Sequence, residues 1–198
     1  MNKLKMIIPL FLVSCNGIGI SSDYFPLLLE TPKRMINNFK PYYPEDDYIQ
    51  NQQSSFVTVE LGQNNAILVL KSIEKDIFTW VGLDDVVFKT YKGFVIRTIG
   101  LEHNLEIINP ISSIDSMLNN NNNTLLLNFD NPRLYELSAS IERIYQSTDM
   151  IELELDSDDI NWSVEINVEY EPNGLPAVSN QSLHPFLKSA RLRFYYKY

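Results

Sequence analysis

The clearest periodicity in the chain has a step of two. Between Ile160 and Tyr170, the apolar positions Ile160, Trp162, Val164, Ile166, Val168 and Tyr170 alternate with Asn161, Ser163, Glu165, Asn167 and Glu169. Side chains of a strand point alternately to opposite faces, so this spacing predicts a strand with one apolar and one wet face. Ile151, Leu153 and Leu155 alternate in the same way with Glu152 and Glu154. At the C-terminus, Ala190, Leu192, Phe194, Tyr196 and Tyr198 share one face, while Arg191, Arg193 and Lys197 share the other. Opposite charges directly across an antiparallel pair contribute roughly 0.2–1 kcal/mol each. The basic outer face of the last strand therefore predicts that it lies beside the acidic Trp162 strand.

The same pattern begins at Phe56. Val57-Thr-Val-Glu-Leu61 alternates, Gly62 to Asn65 reads as a turn, and Ala66 to Leu70 is a continuous apolar run of a strand buried on both faces. Ile73 to Val81 carries Phe78 and Trp80. Val86 to Thr90 leads into a Tyr91-Lys92-Gly93 turn and then Phe94 to Ile99. Glycine there allows the positive φ of a tight hairpin. Leu105 to Ile108 and Thr124 to Phe129 are further strands, the latter closed by Asp130-Asn-Pro132. Ser138 to Tyr145 fits a strand, and its Ile141, Ile144 and Tyr145 also fit a helix. A short helix is expected at Ile114 to Leu118, before the exposed loop of five asparagines, Asn119 to Asn123. Ten or so short strands with close turns predict an all-β fold. The expected form is an antiparallel sheet curved into a barrel or half-open barrel, with a β-sandwich as the alternative.

The N-terminus follows another logic. Lys3 and Lys5 precede the apolar run Met6 to Val13, and Leu12-Val13-Ser14-Cys15 holds the single cysteine. A basic start, a short apolar core and a small residue form an export signal, and the run is far too short to span a bilayer, which takes about 20 residues. Leu-Val-Ser-Cys resembles the bacterial lipobox. That resemblance implies cleavage after Ser14 and lipidation of Cys15, palmitate being among the acyl chains so used. Each buried methylene contributes roughly 0.8 kcal/mol, so two or more chains anchor a domain stably. Asn16 follows the cysteine and no aspartate does, which resembles the sorting pattern of outer-membrane lipoproteins. The expected organisation is a signal peptide at 1–14, a tether and irregular lead-in at 15–55, and a β domain at 56–198. Within the lead-in, Phe25 to Phe39 fits a short amphipathic helix, and Glu45-Asp46-Asp47 fits the start of a helical turn reaching Ile49.

The net charge of −9 in 198 residues changes the picture in one respect. An acidic domain is repelled by nucleic acid and by anionic headgroups, so nucleic-acid binding is excluded and membrane attachment falls to the lipid. The catalytic inventory is thin. His103 and His184 lie far apart in sequence, in no metal-binding motif, and read as surface or turn histidines. There is no phosphate-binding glycine loop and no nucleophile elbow. Neither a cofactor nor a metal is expected. Asp84, Asp85, Glu152, Glu154, Glu165 and Glu169 are the acids open to a glycosidase pair. Most alternate with core positions and read as a solvated face. Asp156-Ser-Asp-Asp159 lacks the glycine and distal glutamate of a calcium loop and reads as a turn. Trp80, Tyr91, Phe94, Trp162 and Tyr170 offer flat faces to sugar rings, and Tyr91, at a hairpin tip, is the one expected to be exposed.

Two stretches resemble a known family. Trp80-Val81, then Gly93-Phe-Val-Ile-Arg97-Thr98-Ile-Gly100-Leu101 with Asn104-Leu105, is similar to the central motif of the YjbF/GfcB family of group 4 capsule polysaccharide lipoproteins. Gly174 followed by Ser179-Asn180-Gln181-Ser182-Leu183-His184-Pro185 is similar to the family's late glycine, serine-x-glutamine stretch and proline. The family's Tyr-Trp pair is replaced here by Val168-Glu169-Tyr170, and the asparagine run has no counterpart. The resemblance implies a barrel-like lipoprotein on the periplasmic face of the outer membrane, serving secretion or assembly of an extracellular or capsular polysaccharide. It supplies no catalytic residues. The expectation is a non-enzymatic accessory factor that binds glycan or a polysaccharide-export protein, with Tyr91, Arg97 and Gln181 as candidate ligand residues. The alternative is a glycan-modifying envelope enzyme using paired carboxylates.

Overall fold

The computed structural model describes residue 44 and residues 46–119 and 124–197. The expected signal peptide at 1–14, Cys15 and the expected helix at 25–39 lie outside these residues. A short helix α1 (Asp46–Asn51) leads into twelve strands: β1 (Phe56–Leu61), β2 (Asn64–Glu74), β3 (Ile77–Val81), β4 (Val87–Tyr91), β5 (Phe94–Ile99), β6 (Leu105–Ile107), β7 (Thr124–Phe129), β8 (Leu134–Gln146), β9 (Met150–Ser157), β10 (Trp162–Tyr170), β11 (Pro176–Gln181) and β12 (Ala190–Tyr195). Helix α2 (Pro110–Leu118) joins β6 to β7, and a 3-10 turn (Asp158–Ile160) joins β9 to β10. Each strand pairs antiparallel with its neighbours in sequence, and β12 pairs with β1 to close a barrel. The barrel form is therefore the correct one, and the sandwich alternative is not. The segment 138–145 is strand throughout, inside β8.

Two expectations are corrected. The last strand does not lie beside the Trp162 strand: β12 sits between β1 and β11, with Glu60 opposite Arg191. The intervening strand β11, Pro-Ala-Val-Ser-Asn-Gln, has too few apolar residues to show an alternation, so charge complementarity pointed to the wrong neighbour. Glu165 on β10 instead faces Glu154 on β9, and Arg143 of β8 pairs with Glu154 at 3.2 Å. The stretch from Ile73 to Val81 also contains a turn. Lys75 and Asp76, both at positive φ, separate β2 from β3.

The inner face carries Val57, Val59, Leu68, Trp80, Phe88, Leu153, Leu155, Val168, Leu192 and Phe194 in one continuous core. The outer face carries Lys89, Arg97, Glu106, Arg143, Glu154 and Glu165. A lipid-embedded barrel has the reverse arrangement, with an apolar band outward. This wall suits water.

Twelve strands enclose more space than the eight whose side chains just fill a barrel. Three features take up the difference. Helix α2 seats Ile114 and Met117 in the core from one end. The β11–β12 connection seats Leu183 and His184 from the other. Between them the barrel is flattened, so that β5 touches β11 across the interior. The flattening needs Gly93. It follows Lys92 in a two-residue turn with positive φ at both, and a Cβ on Gly93 would lie 2.4 Å from Val168 Cγ1. Among the described residues, a void of about 20 Å³ lies between Phe94, Ile114, Phe129 and Leu153, too small for a ligand.

Candidate functional site

Sequence-predicted ligand residues go to three different places. Tyr91 is 5% exposed, which corrects the expectation of an open aromatic face at the hairpin tip. Its hydroxyl donates to Asp115 of α2 at 2.9 Å, and Lys92 Nζ reaches the same carboxylate at 2.7 Å. Burial, with the Asp115 contact, pushes the Tyr91 phenol up; the Lys92 hydrogen bond, with that of Tyr91, holds Asp115 below the usual carboxylate range. This is the fastening of α2 over the barrel end. Tyr170 sits close by, donating to the Lys92 carbonyl at 2.8 Å, and burial pushes its pKa up to about 12.

Gln181 is buried. Its Oε1 accepts from Val95 N–H at 2.9 Å, and its Nε2 donates to Ser179 Oγ at 2.7 Å and to the Gly93 carbonyl at 3.3 Å. The register of β4 against β5 shifts next to Val95, at a bulge. Bulges take backbone groups out of the ladder. Gln181 satisfies one of them from the far side of the barrel, which is a structural duty.

Arg97 alone faces solvent. It lies on β5 opposite Glu106 of β6, the single ladder pair between those strands, and the two side chains pair at 3.3 Å. Beyond this pair the strands part. Thr98 Oγ1 accepts from Leu105 N–H at 2.9 Å in place of a ladder partner. The loop between them is braced by Asn104, which donates from Nδ2 to the Leu101 carbonyl at 2.9 Å and to Asp130 Oδ2 at 2.8 Å, while Asp130 also accepts the Asn104 backbone N–H. The parting leaves an open groove of about 260 Å³ on the outer wall. Arg97, Ile99, Asn104, Glu106, Asn128 and Tyr135 line it. Tyr135 is 68% exposed and Ile99 41%. Sequence reasoning missed Tyr135, because it sits just after a turn and outside any recognised motif. The left-handed Glu136 beside it, whose N–H donates to Asn128 Oδ1 at 2.9 Å, shapes that wall of the groove.

Sequence reasoning also missed a pairing of the two histidines. The rings of His103 and His184 meet at 4.6 Å between centroids, tilted by 36°. His184 is fully buried, against the expectation of a surface position, and packs on Phe129 and Phe186. Burial pushes its pKa down and the neighbouring His103 adds to this, with Asp130 opposing. Its Nδ1 accepts the Phe186 N–H at 3.2 Å. No third ligand joins them: among the described residues no cluster of three His, Cys, Asp or Glu is placed to hold a metal.

Among the candidate acids, Glu154 is paired with Arg143 at 3.2 Å. Glu152 and Glu165 interact on the open face of β9 and β10, where the hydrogen bond to Glu152 raises the Glu165 pKa. In the groove, Glu106 is paired with Arg97 and Asp130 with Asn104.

Among the described residues no helix is long and apolar enough to cross a membrane. A family model described as "Group 4 capsule polysaccharide lipoprotein gfcB, YjbF" matches residues 33–158. The chain belongs to this family. The match covers the Arg97 motif and the groove and stops before the Gln181 motif. No curated protein matches the sequence. Among solved structures, the chain is similar to the hypothetical lipoprotein YmcC from Escherichia coli K12, with a TM-score of 0.59 and 19% identity over 77% of this chain and 89% of that one. At that identity the likeness is one of fold.

Proposed function

We propose that this member of the capsule polysaccharide lipoprotein family is exported, lipidated at Cys15 and held at the periplasmic face of the outer membrane, where its barrel binds polysaccharide without catalysis. It would serve as an accessory to secretion or assembly of a capsular or extracellular polymer. The observation that carries this reading is the groove at the parted end of β5 and β6. There an exposed aromatic ring, Tyr135, stands beside the planar polar groups of Arg97, Glu106 and Asn128. Sugar rings present C–H faces that pack on aromatic surface and hydroxyls that both donate and accept, so this combination suits them.

The groove's acids argue against the enzyme alternative. A glycosidase needs two carboxyls roughly 5–10 Å apart across a cleft, one able to give up a proton and one to attack or activate water. Glu106 and Asp130 are each committed to a protein partner, in an open groove. The water-suited wall supports a lipid tether as the means of attachment, since the barrel has no apolar band of its own.

The test is a deletion strain complemented with wild type, Cys15→Ala or Tyr135→Ala. Wild type should restore secreted polymer, Cys15→Ala should leave the protein in the soluble periplasmic fraction with polymer reduced, and Tyr135→Ala should be membrane-attached yet impaired. Unchanged polymer amount with altered chain length or decoration would sink the accessory role and favour an enzyme.

A further inference from the structure

We propose that the groove takes a neutral, hydroxyl-rich stretch of polysaccharide and turns away acidic, uronate-bearing stretches. This rests on the glycan-binding reading above and adds the class of sugar. The argument is one of charge and hydrogen-bond supply. Among the described residues that line the groove Arg97 is the one cation, and it is already paired with Glu106 at 3.3 Å. Asp130 adds a second acid, so the groove holds more negative than positive charge. The chain as a whole carries −9. A sugar carboxylate entering here would lose water and meet Glu106 and Asp130, while Lys89, opposite Arg97 on β4, stands outside the lining. Recognition of carboxylates instead favours an unengaged, forked guanidinium.

Hydroxyls face no such obstacle. Glu106 accepts from them, and the guanidinium N–H groups of Arg97 that do not face Glu106 donate to them. Asn128 has its oxygen committed to Glu136 N–H, which leaves its amide nitrogen as a donor. Tyr135, 68% exposed, supplies the flat face, and Ile99 an apolar rim. The volume, about 260 Å³, is below the roughly 300–1,000 Å³ of pockets that enclose a drug-sized ligand. Its openness fits a chain that crosses the groove and continues on either side. Thr98 and Asn104 brace the floor through bonds to backbone, so the site is formed before any ligand arrives.

The test uses the full chain in detergent micelles and the producing cell's own secreted polysaccharide. Anion exchange divides that material into an unretained neutral fraction and a retained acidic one, and binding of each is titrated at low and high salt. The expected result is binding of the neutral fraction, indifferent to salt, and weakened about tenfold or more by Tyr135→Ala, on the scale of one aromatic contact. Arg97→Gln should also weaken it, with the thermal melt of both variants unchanged. Preference for the acidic fraction with loss at high salt would overturn the neutral-sugar assignment and leave glycan binding standing. Neutral binding untouched by Tyr135→Ala would overturn the groove as its seat. Binding of neither fraction would overturn the glycan-binding reading itself.

Discussion

The side chain of Gln181 accepts the backbone N–H of Val95 at 2.9 Å, across the barrel interior and 86 positions of sequence. With the bond from Gln181 Nε2 to the Gly93 carbonyl, it ties the β4–β5 hairpin to β11. The two family-like stretches therefore meet in space. They meet a second time where the His103 ring packs against that of His184.

Replacing Gln181 by leucine keeps the volume and removes all three side-chain bonds, to Val95, Gly93 and Ser179. A buried donor or acceptor left unpaired costs about 1–3 kcal/mol, so Gln181→Leu should lower stability by about 3 kcal/mol. Urea denaturation checks it. A loss under about 0.5 kcal/mol, the scale of a neutral surface substitution, would mean that water replaces the amide.

Gly93 and Gly174 provide a matched pair. Their φ angles are +83° and +82°, so alanine at either pays the same left-handed cost of about 1–2 kcal/mol. Only at Gly93 does the added Cβ collide, with Val168 Cγ1 at 2.4 Å and Pro176 Cβ at 3.1 Å; at Gly174 nothing lies within 4 Å. Overpacking of this kind adds roughly 1–3 kcal/mol. Gly93→Ala should therefore destabilise clearly more than Gly174→Ala in parallel thermal melts.

His184 makes stability depend on pH. Its folded pKa is depressed below the ordinary value of 6.5, chiefly by burial. The unfolded state then binds the proton more readily. The stabilising contribution is complete above pH 6.5 and is lost as pH falls through the depressed folded value. His184→Phe keeps a ring against Phe129 and Phe186 and cannot titrate. The slope of stability between pH 7.5 and 5 should be flatter in this variant than in wild type. An identical slope would remove His184 from the account.

Arg97 and Tyr135 should separate function from stability. The Arg97–Glu106 pair has both side chains about half exposed, and exposed pairs contribute roughly 0–1 kcal/mol. Tyr135 contacts mostly water. Arg97→Ala and Tyr135→Ala should melt within a few degrees of wild type while impairing polysaccharide secretion in the complemented deletion strain. Melts lowered by as much as those of Gln181→Leu would return both residues to the scaffold.

Alternation by two was enough to identify most of the barrel, because a strand buried on one face must repeat apolar and polar residues at that period. β9, β10 and β12 are where the alternation placed them. Strand β11 was hidden since Ser179 and Gln181 are polar yet buried; their partners are backbone and side-chain groups that only the closed, flattened barrel brings near. The order of strands followed from that omission: a missing strand moves every later neighbour by one.

The site divides in the same way. Arg97 was legible as a polar residue within a recognisable stretch, and it does line the groove. Tyr91 was misread because a hairpin tip is usually exposed, and here α2 folds over it. Tyr135 and His103 stood in no recognised motif, and His184, though within the second family-like stretch, carried no local sign of its burial. The sequence by itself determined the strand periodicity, the acidic outer surface and the lipobox-like start, each written within a few neighbouring residues. Only the tertiary structure decided which strands adjoin, how a twelve-stranded barrel fills itself, and where β5 and β6 part to open a groove. Those depend on contacts between residues tens of positions apart, and no local pattern records them.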